Sequence, residues 1–417
     1  MDILSYSAKW YTAAMTPALG AFAAAAAVPA VFWCFGLTQA LRLARTMARF
    51  SAEPPVPAGG PWPKVSVIVP ARNEEADVEA AVRSLLAQDY PGLEVVAVDD
   101  RSTDSTRAIL RRLAREDARL TVAEVDVLPA GWLGKNNANR AGAARASGEW
   151  LLFTDADVKF STGALRRAVG FAERHRLGHV VALPHFLTSG FLESAFVSVF
   201  CVFFSVKVRL WLLPLPRTRA FIGSGTFNMV RREDYERSGG HERLRLEVAD
   251  DVKLGLILRR TGTRQGAYDS EGDVRVRWQD GFAGTMRGLV KNAFSGLEWR
   301  WDATLLAVAG ILLVSVAPVL LLLAVPWPLK PWLLPAVLLP MLLHGAAARR
   351  AAGGSGLEGL AHPVMAALFC GVMLWSAASA EARDGIDWRG TRYRLAELRE
   401  GCVREDDYPL DGVLGWE

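Results

Sequence analysis

Aspartates in short clusters carry the strongest chemical signal in this sequence. Asp99 and Asp100 end the β-branched run 93–98, Asp155 and Asp157 follow the run 150–154, and Asp250 and Asp251 open a helical pattern at 251–260. One such pair alone reads equally well as a helix cap or a turn, because a carboxylate accepts free backbone N–H groups. Two clusters at the ends of neighbouring strands require more. Like charges held together need a counter-ion, and a hard divalent cation with oxygen ligands supplies one. Mg2+ takes only one or two protein carboxylates and fills its sphere from water and phosphates, so Asp155-Ala156-Asp157 is suited to carry a metal–diphosphate.

The elements that must position these groups are legible as an alternation. Strand patterns at 65–69, 93–98, 120–125 and 150–154 are separated by helical patterns ending at Gln88, at 105–116 and at 138–146. Strand–helix alternation at this spacing predicts an α/β unit, a parallel sheet covered on both faces, with ligands beyond the carboxyl ends of its strands. The unit runs over 64–301 and is entered through a Pro-rich linker at 51–63. Apolar runs of spanning length surround it, at 12–37, 303–325, 332–348 and 360–380. They define an N-terminal anchor (1–50), a closing set of helices (302–380) and a polar tail (381–417). Arg42, Arg45 and Arg49 behind the first run place its C-terminal end in the cytoplasm, and Arg349 and Arg350 suit the same side. One leading and three closing spans would put the tail outside, whereas a tail that helps the active site would lie on the cytoplasmic side; the span pattern leaves its side open.

Composition agrees. Of 417 residues 51% are hydrophobic, which excludes a disordered or collagen-like chain and asks for membrane segments. Lys plus Arg (48) nearly balance Asp plus Glu (44), so no concentrated basic face marks a nucleic-acid binder. Cys34, Cys201, Cys370 and Cys402 lie far apart and read as buried free thiols. His175 and His179 have metal-ligand spacing but no nearby Glu, and read as surface histidines. Gly223-Ser224-Gly225 is only a fragment of a dinucleotide fingerprint.

In order along the chain, Val69-Pro70-Ala71-Arg72-Asn73-Glu74-Glu75, the run from Val98 to Thr106, Asp155-Ala156-Asp157, the run from Gly223 to Arg232, Gly239-Gly240 and Asp250-Asp251 closely resemble family-2 glycosyltransferases of the GT-A fold. The resemblance covers 64–262. The closing apolar runs and the stretch from Asp387 to Tyr393 look like the membrane-anchored, lipid-modifying branch, whether hopanoid- or carotenoid-associated or ceramide glycosyltransferases.

That resemblance implies a Rossmann-like nucleotide-diphospho-sugar transferase domain with one N-terminal and about three C-terminal transmembrane helices. It implies inverting transfer from a UDP- or GDP-sugar to a lipid acceptor, with Mg2+ or Mn2+, at the cytoplasmic membrane. Residue by residue, Pro70, Ala71 and Glu74 border the nucleotide and Asp99 or Asp100 reads its base. Lys135, in Gly134-Lys135-Asn136, neutralises diphosphate or holds the sugar, Asp155 lies near ribose or sugar, and Asp157 binds the metal. Asp251 is the base, with Asp250 preceding it. Gly223, Ser224, Gly225, Arg287 and Lys291 fall on the acceptor side. The Gln/Arg-x-x-Arg-Trp element of processive synthases and ceramide glucosyltransferases is missing, since only Trp278-Gln279 and Trp299-Arg300-Trp301 occur. A polysaccharide synthase and a non-catalytic membrane scaffold are the competing readings.

One apolar segment, 186–206, falls between the metal aspartate and the base. A single crossing there would put the two on opposite sides of the membrane. The segment 186–213, ending in Lys207, Arg209 and Trp211, is therefore expected to lie in the interface or re-enter, and to guide a lipid.

Overall fold

The computed structural model describes residues 3–46, 62–213, 215 and 218–406. Most of the linker expected at 51–63, and the end of the tail from 407 onward, lie outside the described residues.

Helix α1 (Ile3–Thr46) leads to strand β1 (Val65–Ala71), helix α2 (Val78–Leu86), β2 (Leu93–Asp100), α3 (Thr106–Glu116), β3 (Leu120–Val125), α4 (Gly134–Arg145) and β4 (Trp150–Phe153). Next come β5 (Lys159–Phe160), α5 (Ala164–Arg174), β6 (His179–Leu183), β7 (His185–Phe186), α6 (Phe191–Val208), β8 (Asn228–Arg231), α7 (Arg232–Ser238), α8 (Asp250–Arg260), β9 (Gln265–Asp269) and β10 (Val274–Val276). The order of the main sheet is β3-β2-β1-β4-β8-β6-β9. Alternate strand residues feed two cores. Val65, Val67 and Val69 face α2, α3 and α5, while Ile68, Val96 and Val98 face α4 and α8. Burial on both faces explains why these strands read as unbroken β-branched runs.

The parallel sheet expected for the alternating half is found: β1 pairs parallel with β2 and β4, and β2 with β3. Beyond that half the sheet is mixed, since β8 runs antiparallel to both β4 and β6.

The remaining helices are α9 (Gly281–Ala293), α10 (Trp301–Ile311), α11 (Ala317–Ala324), α12 (Lys330–Ala352) and α13 (His362–Ala382), followed by the hairpin β11 (Gly385–Trp388) and β12 (Thr391–Arg394) and helix α14 (Leu395–Glu400). Five helical stretches among the described residues are long and apolar enough to cross a membrane: 25–45, 191–208, 301–324, 327–352 and 357–382. A π-helical segment, Leu312–Val316, joins α10 to α11. Pro318 cannot donate to the carbonyl four residues back, at Val314, and the Trp33 indole N–H donates to that carbonyl instead at 2.7 Å.

One of the five stretches, α6, starts and finishes on the sheet domain, and α13 is tied to α6, α10 and the tail at its two ends. Just before α6, β7 pairs with β10; just after it, Arg259 of α8 donates to the carbonyl of Leu213 at 2.8 Å. At the start of α13, Glu358 meets Ser194 of α6; at its end, Glu381 accepts from the Trp301 indole and pairs with Arg399. Phe196, Phe203 and Leu289 pack with Met365 and Phe369, so α6, α9 and α13 share one core.

Residues 385–406 fold against the domain. The Val403 N–H donates to Glu247 at 3.0 Å, and the buried Lys253 ammonium bonds both Glu298 and the Val403 carbonyl. Two corrections concern side chains. His179 is fully buried on β6 against Asn228, and Cys34 is exposed on α1.

Candidate active site

The carboxyl ends of β1 and β4, the loop before β8 and the first turns of α4 and α8 converge on one pocket. Lys135 stands in the first turn of α4. Its ammonium lies 2.7 Å from Asp155 and 3.6 Å from Asp250. Asn136 fixes this approach by donating to the carbonyls of Leu244 and Glu247, just upstream of α8. Asp250 and Asp251 are the first two residues of α8, where unpaired N–H groups and the helix dipole favour negative charge.

Asp251 is held by backbone. One carboxylate oxygen accepts the Gly225 N–H at 2.6 Å and the other accepts the Val252 N–H at 2.8 Å. A Cβ at position 223 would collide with the Asp251 carbonyl, and one at 225 would press on the Asp155 carboxylate. The glycines at 223 and 225 therefore let the loop before β8 close onto both acids. Ser224 between them bonds Thr226 at 2.8 Å, and the Gly225 carbonyl accepts the Asp155 N–H at 2.8 Å.

Electrostatics follow from this crowding. Burial works against the Lys135 ammonium, but Asp155, Asp250 and Asp251 outweigh it and hold its pKa above the usual value. Burial pushes Asp250 up to about 7; Lys135 opposes this, while Asp251 and Asp155 add to it. Burial, then Asp155 and Glu74, push Asp157 up to about 7 as well. Glu74 is raised chiefly by burial, against the pull of Arg389.

A divalent cation fits this set. One oxygen of Asp157 is buried with no hydrogen-bond partner, beside two other carboxylates that disfavour its charge. No group of three or more His, Cys, Asp or Glu among the described residues is arranged to hold a metal ion. A cation here must complete its sphere with substrate oxygens and water, as Mg2+ does.

The other expected site residues divide. Pro70 lines the pocket and Ala71 follows it at the end of β1. Glu74 lies in the next loop, fixed by its N–H to the Thr106 hydroxyl at 2.8 Å. Asp100 is paired with Arg101 at 2.8 Å and with Arg72 at 3.8 Å, beside Gly134. Asp99 is fully buried and points the other way, into Arg107 of α3 at 2.7 Å. Arg287 is exposed on α9, and no ion pair among the described residues ties it to the pocket. Lys291, one turn further on, sits with its ammonium 3.7 Å from the centre of the Trp388 ring. Trp388, Arg389 and Tyr393 are near-site residues that the assignment of roles missed. Their signal is present in the sequence as a Trp-Arg-Gly-x-x-Tyr pattern.

Comparison with known proteins agrees with this architecture. Residues 66–239 match the family described as glycosyl transferase family 2. The chain is similar to a 4,4'-diaponeurosporenoate glycosyltransferase of Staphylococcus aureus, 25% identical over 344 residues that cover 80% of this chain and 89% of the relative. In fold it is similar to the mannosyltransferase PcManGT from Pyrobaculum calidifontis, solved in complex with GDP-Man and Mn2+. The TM-score is 0.53 at 22% identity, over 87% of this chain and 97% of that one. The chain therefore carries a family-2 glycosyltransferase domain of GT-A type and is an enzyme of that class.

Proposed function

We propose that this enzyme moves a sugar from a nucleotide-sugar to a membrane lipid, by single displacement with inversion, at the cytoplasmic face of the inner membrane. One observation carries the reading: Lys135, Asp155, Asp250 and Asp251 converge beyond the sheet's carboxyl edge, on a domain whose next layer is the apolar core shared by α6, α9 and α13. The relative's name, a carotenoid-acid glycosyltransferase, supports a long apolar acceptor.

In this reading Asp251 takes the proton as the acceptor oxygen attacks the anomeric carbon and the bond to the diphosphate breaks. Its two backbone N–H bonds orient the carboxylate, and Asp250 flanks it. Lys135 stands where the leaving diphosphate or the sugar gathers charge, and Asp155 holds Lys135 in place. Asp157, with Asp155 nearby, would hold Mg2+ or Mn2+, which when bound neutralises diphosphate charge. Pro70, Ala71, Glu74 and Asp100 border a UDP- or GDP-linked donor. Asp99, spent on Arg107, supports the strand end instead. Gly223, Ser224 and Gly225 shape the acceptor side through Asp251. α1, α10–α11 and α12 cross the membrane, while α6 and α13 lie along its surface, so the tail stays beside the site. Residues 64–301 and the hairpin together make the catalytic unit.

The test is a panel of labelled UDP- and GDP-sugars given to membranes containing the protein, with Mn2+ or Mg2+, followed by solvent extraction. Label from one donor in a single extractable lipid, dependent on the cation, is the expected result. Label confined to a water-soluble polymer, or no transfer from any donor to any lipid extract, contradicts it.

A further inference from the structure

The hairpin β11–β12 lies against the loops that border the pocket. Its turn residues Arg389 (φ 50°) and Gly390 (φ 77°) are both left-handed, which aims the turn into the loop after β1. Arg389 donates to the carbonyl of Arg72 at 2.8 Å and pairs with the Glu74 carboxylate. Tyr393 packs with Leu133, next to Lys135's helix start, and is close enough to Asp100 and Arg101 to feel their charge. The segment is anchored behind by Val403 on Glu247 and by the buried Lys253–Glu298 pair, so this contact belongs to the fold.

Lys291 supplies the second observation. Its ammonium rests on the Trp388 ring, and no carboxylate lies within ion-pair distance among the described residues. Burial, then the charge of Lys135, bring it down to about 8, with Asp250, Asp155 and Arg389 also within electrostatic reach. An indole face holds a cation without neutralising it. The pocket thus gains a cation whose charge is unmatched, next to an arginine on an exchangeable carboxylate. Both come from outside the sheet.

We propose that the C-terminal hairpin completes the donor site: Trp388 presents the Lys291 ammonium, and Arg389 releases Glu74 to take oxygens of the donor's diphosphate. The inference rests on the reading of this enzyme as a nucleotide-sugar transferase. A diphosphate brings the anionic oxygens that both cations lack, and a guanidinium matches them two at a time. A hairpin seated over the loops after β1 and before α4 also excludes water from the bond that breaks. Trp388 acts through Lys291 and is a positioning residue.

The experiment titrates the full-length protein in lipid nanodiscs with UDP, GDP, uridine and guanosine in the presence of Mn2+. Parent, Lys291→Met, Arg389→Ala, Arg389→Lys, Trp388→Ala and Trp388→Phe are compared. Lys291→Met and Arg389→Ala should each weaken the preferred diphosphate by about tenfold or more, the range for hydrogen bonds to charged groups, and leave its nucleoside within about twofold. Arg389→Lys and Trp388→Phe should recover part of that loss, because charge and ring face remain. Unchanged diphosphate affinity in both variants overturns the proposal. So does equal loss of diphosphate and nucleoside, which marks a distorted pocket, and so does unchanged diphosphate affinity with a raised KM for the lipid, which assigns Lys291 to the acceptor. If the parent transfers sugar and binds diphosphate while the variants match it, only this inference fails. If the parent binds neither diphosphate, the donor reading fails with it.

Discussion

Two acidic pairs in this chain look alike in sequence and are opposites in space. Asp99 and Asp100 end β2 within a group of arginines: Asp99 with Arg107, and Asp100 with Arg101 and Arg72. The carboxylates at the end of β4 and the start of α8 share one lysine between Asp155 and Asp250, and Asp157 keeps a buried oxygen with no partner. Matched charge makes a scaffold, because the fold itself supplies each carboxylate with a counter-ion, even though one Asp99 oxygen is also buried without a hydrogen bond. Unmatched charge makes a site, because the missing counter-ions must arrive with substrate and metal. The difference lies in which cations the fold supplies, and those come from distant parts of the chain.

The same conservative change on both sides should separate the two groups. Asp157→Asn is expected to cut transfer by about a hundredfold or more while leaving the melting temperature unchanged or raised. It removes a carboxylate that the folded state disfavours ionising. The check is turnover beside a melting curve, and a variant that melts early but turns over normally would reverse the assignment. Asp99→Asn should do the opposite. Asp99 is buried while Arg107 is partly exposed, so losing this charged hydrogen bond should cost about 1.5–3 kcal/mol; the variant should melt below the parent, yet each folded molecule should keep most of its transfer rate. Rate loss without stability loss would move Asp99 into the site.

A smaller effect concerns pH. Burial pushes both Asp250 and Asp157 up to about 7, so both gain charge as pH rises through that range. Turnover should rise between about pH 6 and 8, and Asp250→Asn should remove part of that rise, the rest belonging to Asp157. Smallest of all, Arg112→Ala on α3, which removes the exposed partner of Glu79, should leave both the melting temperature and turnover essentially unchanged. A larger effect would mean that α2 and α3 are coupled to the pocket.

Much of this was readable from residue pattern. β-branched runs predicted β1 to β4, the acids stand at the ends of the second and fourth as expected, and the apolar runs became helices. Strand direction was not readable, because the pattern of β8 is the same in either sense and only the loop at Gly223–Gly225 reverses it. Nor could the pattern divide Asp99 from Asp100. Successive residues point to opposite faces, and which face holds Arg107 depends on where α3 lands. The place of the tail was not readable either. An apolar helix of about 20 residues can cross a membrane or pack along a domain, and composition alone treats α12 and α13 alike. The contacts of Arg389 with Arg72 and Glu74, far apart in the chain, are what bring the tail to the loop after β1.

The central claim is that the unmatched carboxylates perform sugar transfer, with Asp251 taking the proton. It is tested most directly by single-turnover transfer and nucleoside-diphosphate binding, measured on the same preparations of parent and Asp251→Asn. The account predicts that the variant binds the diphosphate within about threefold of the parent and that labelled lipid forms at least about a hundredfold more slowly, the span of a lost general base. Labelled lipid formed at the parent rate by Asp251→Asn would contradict it.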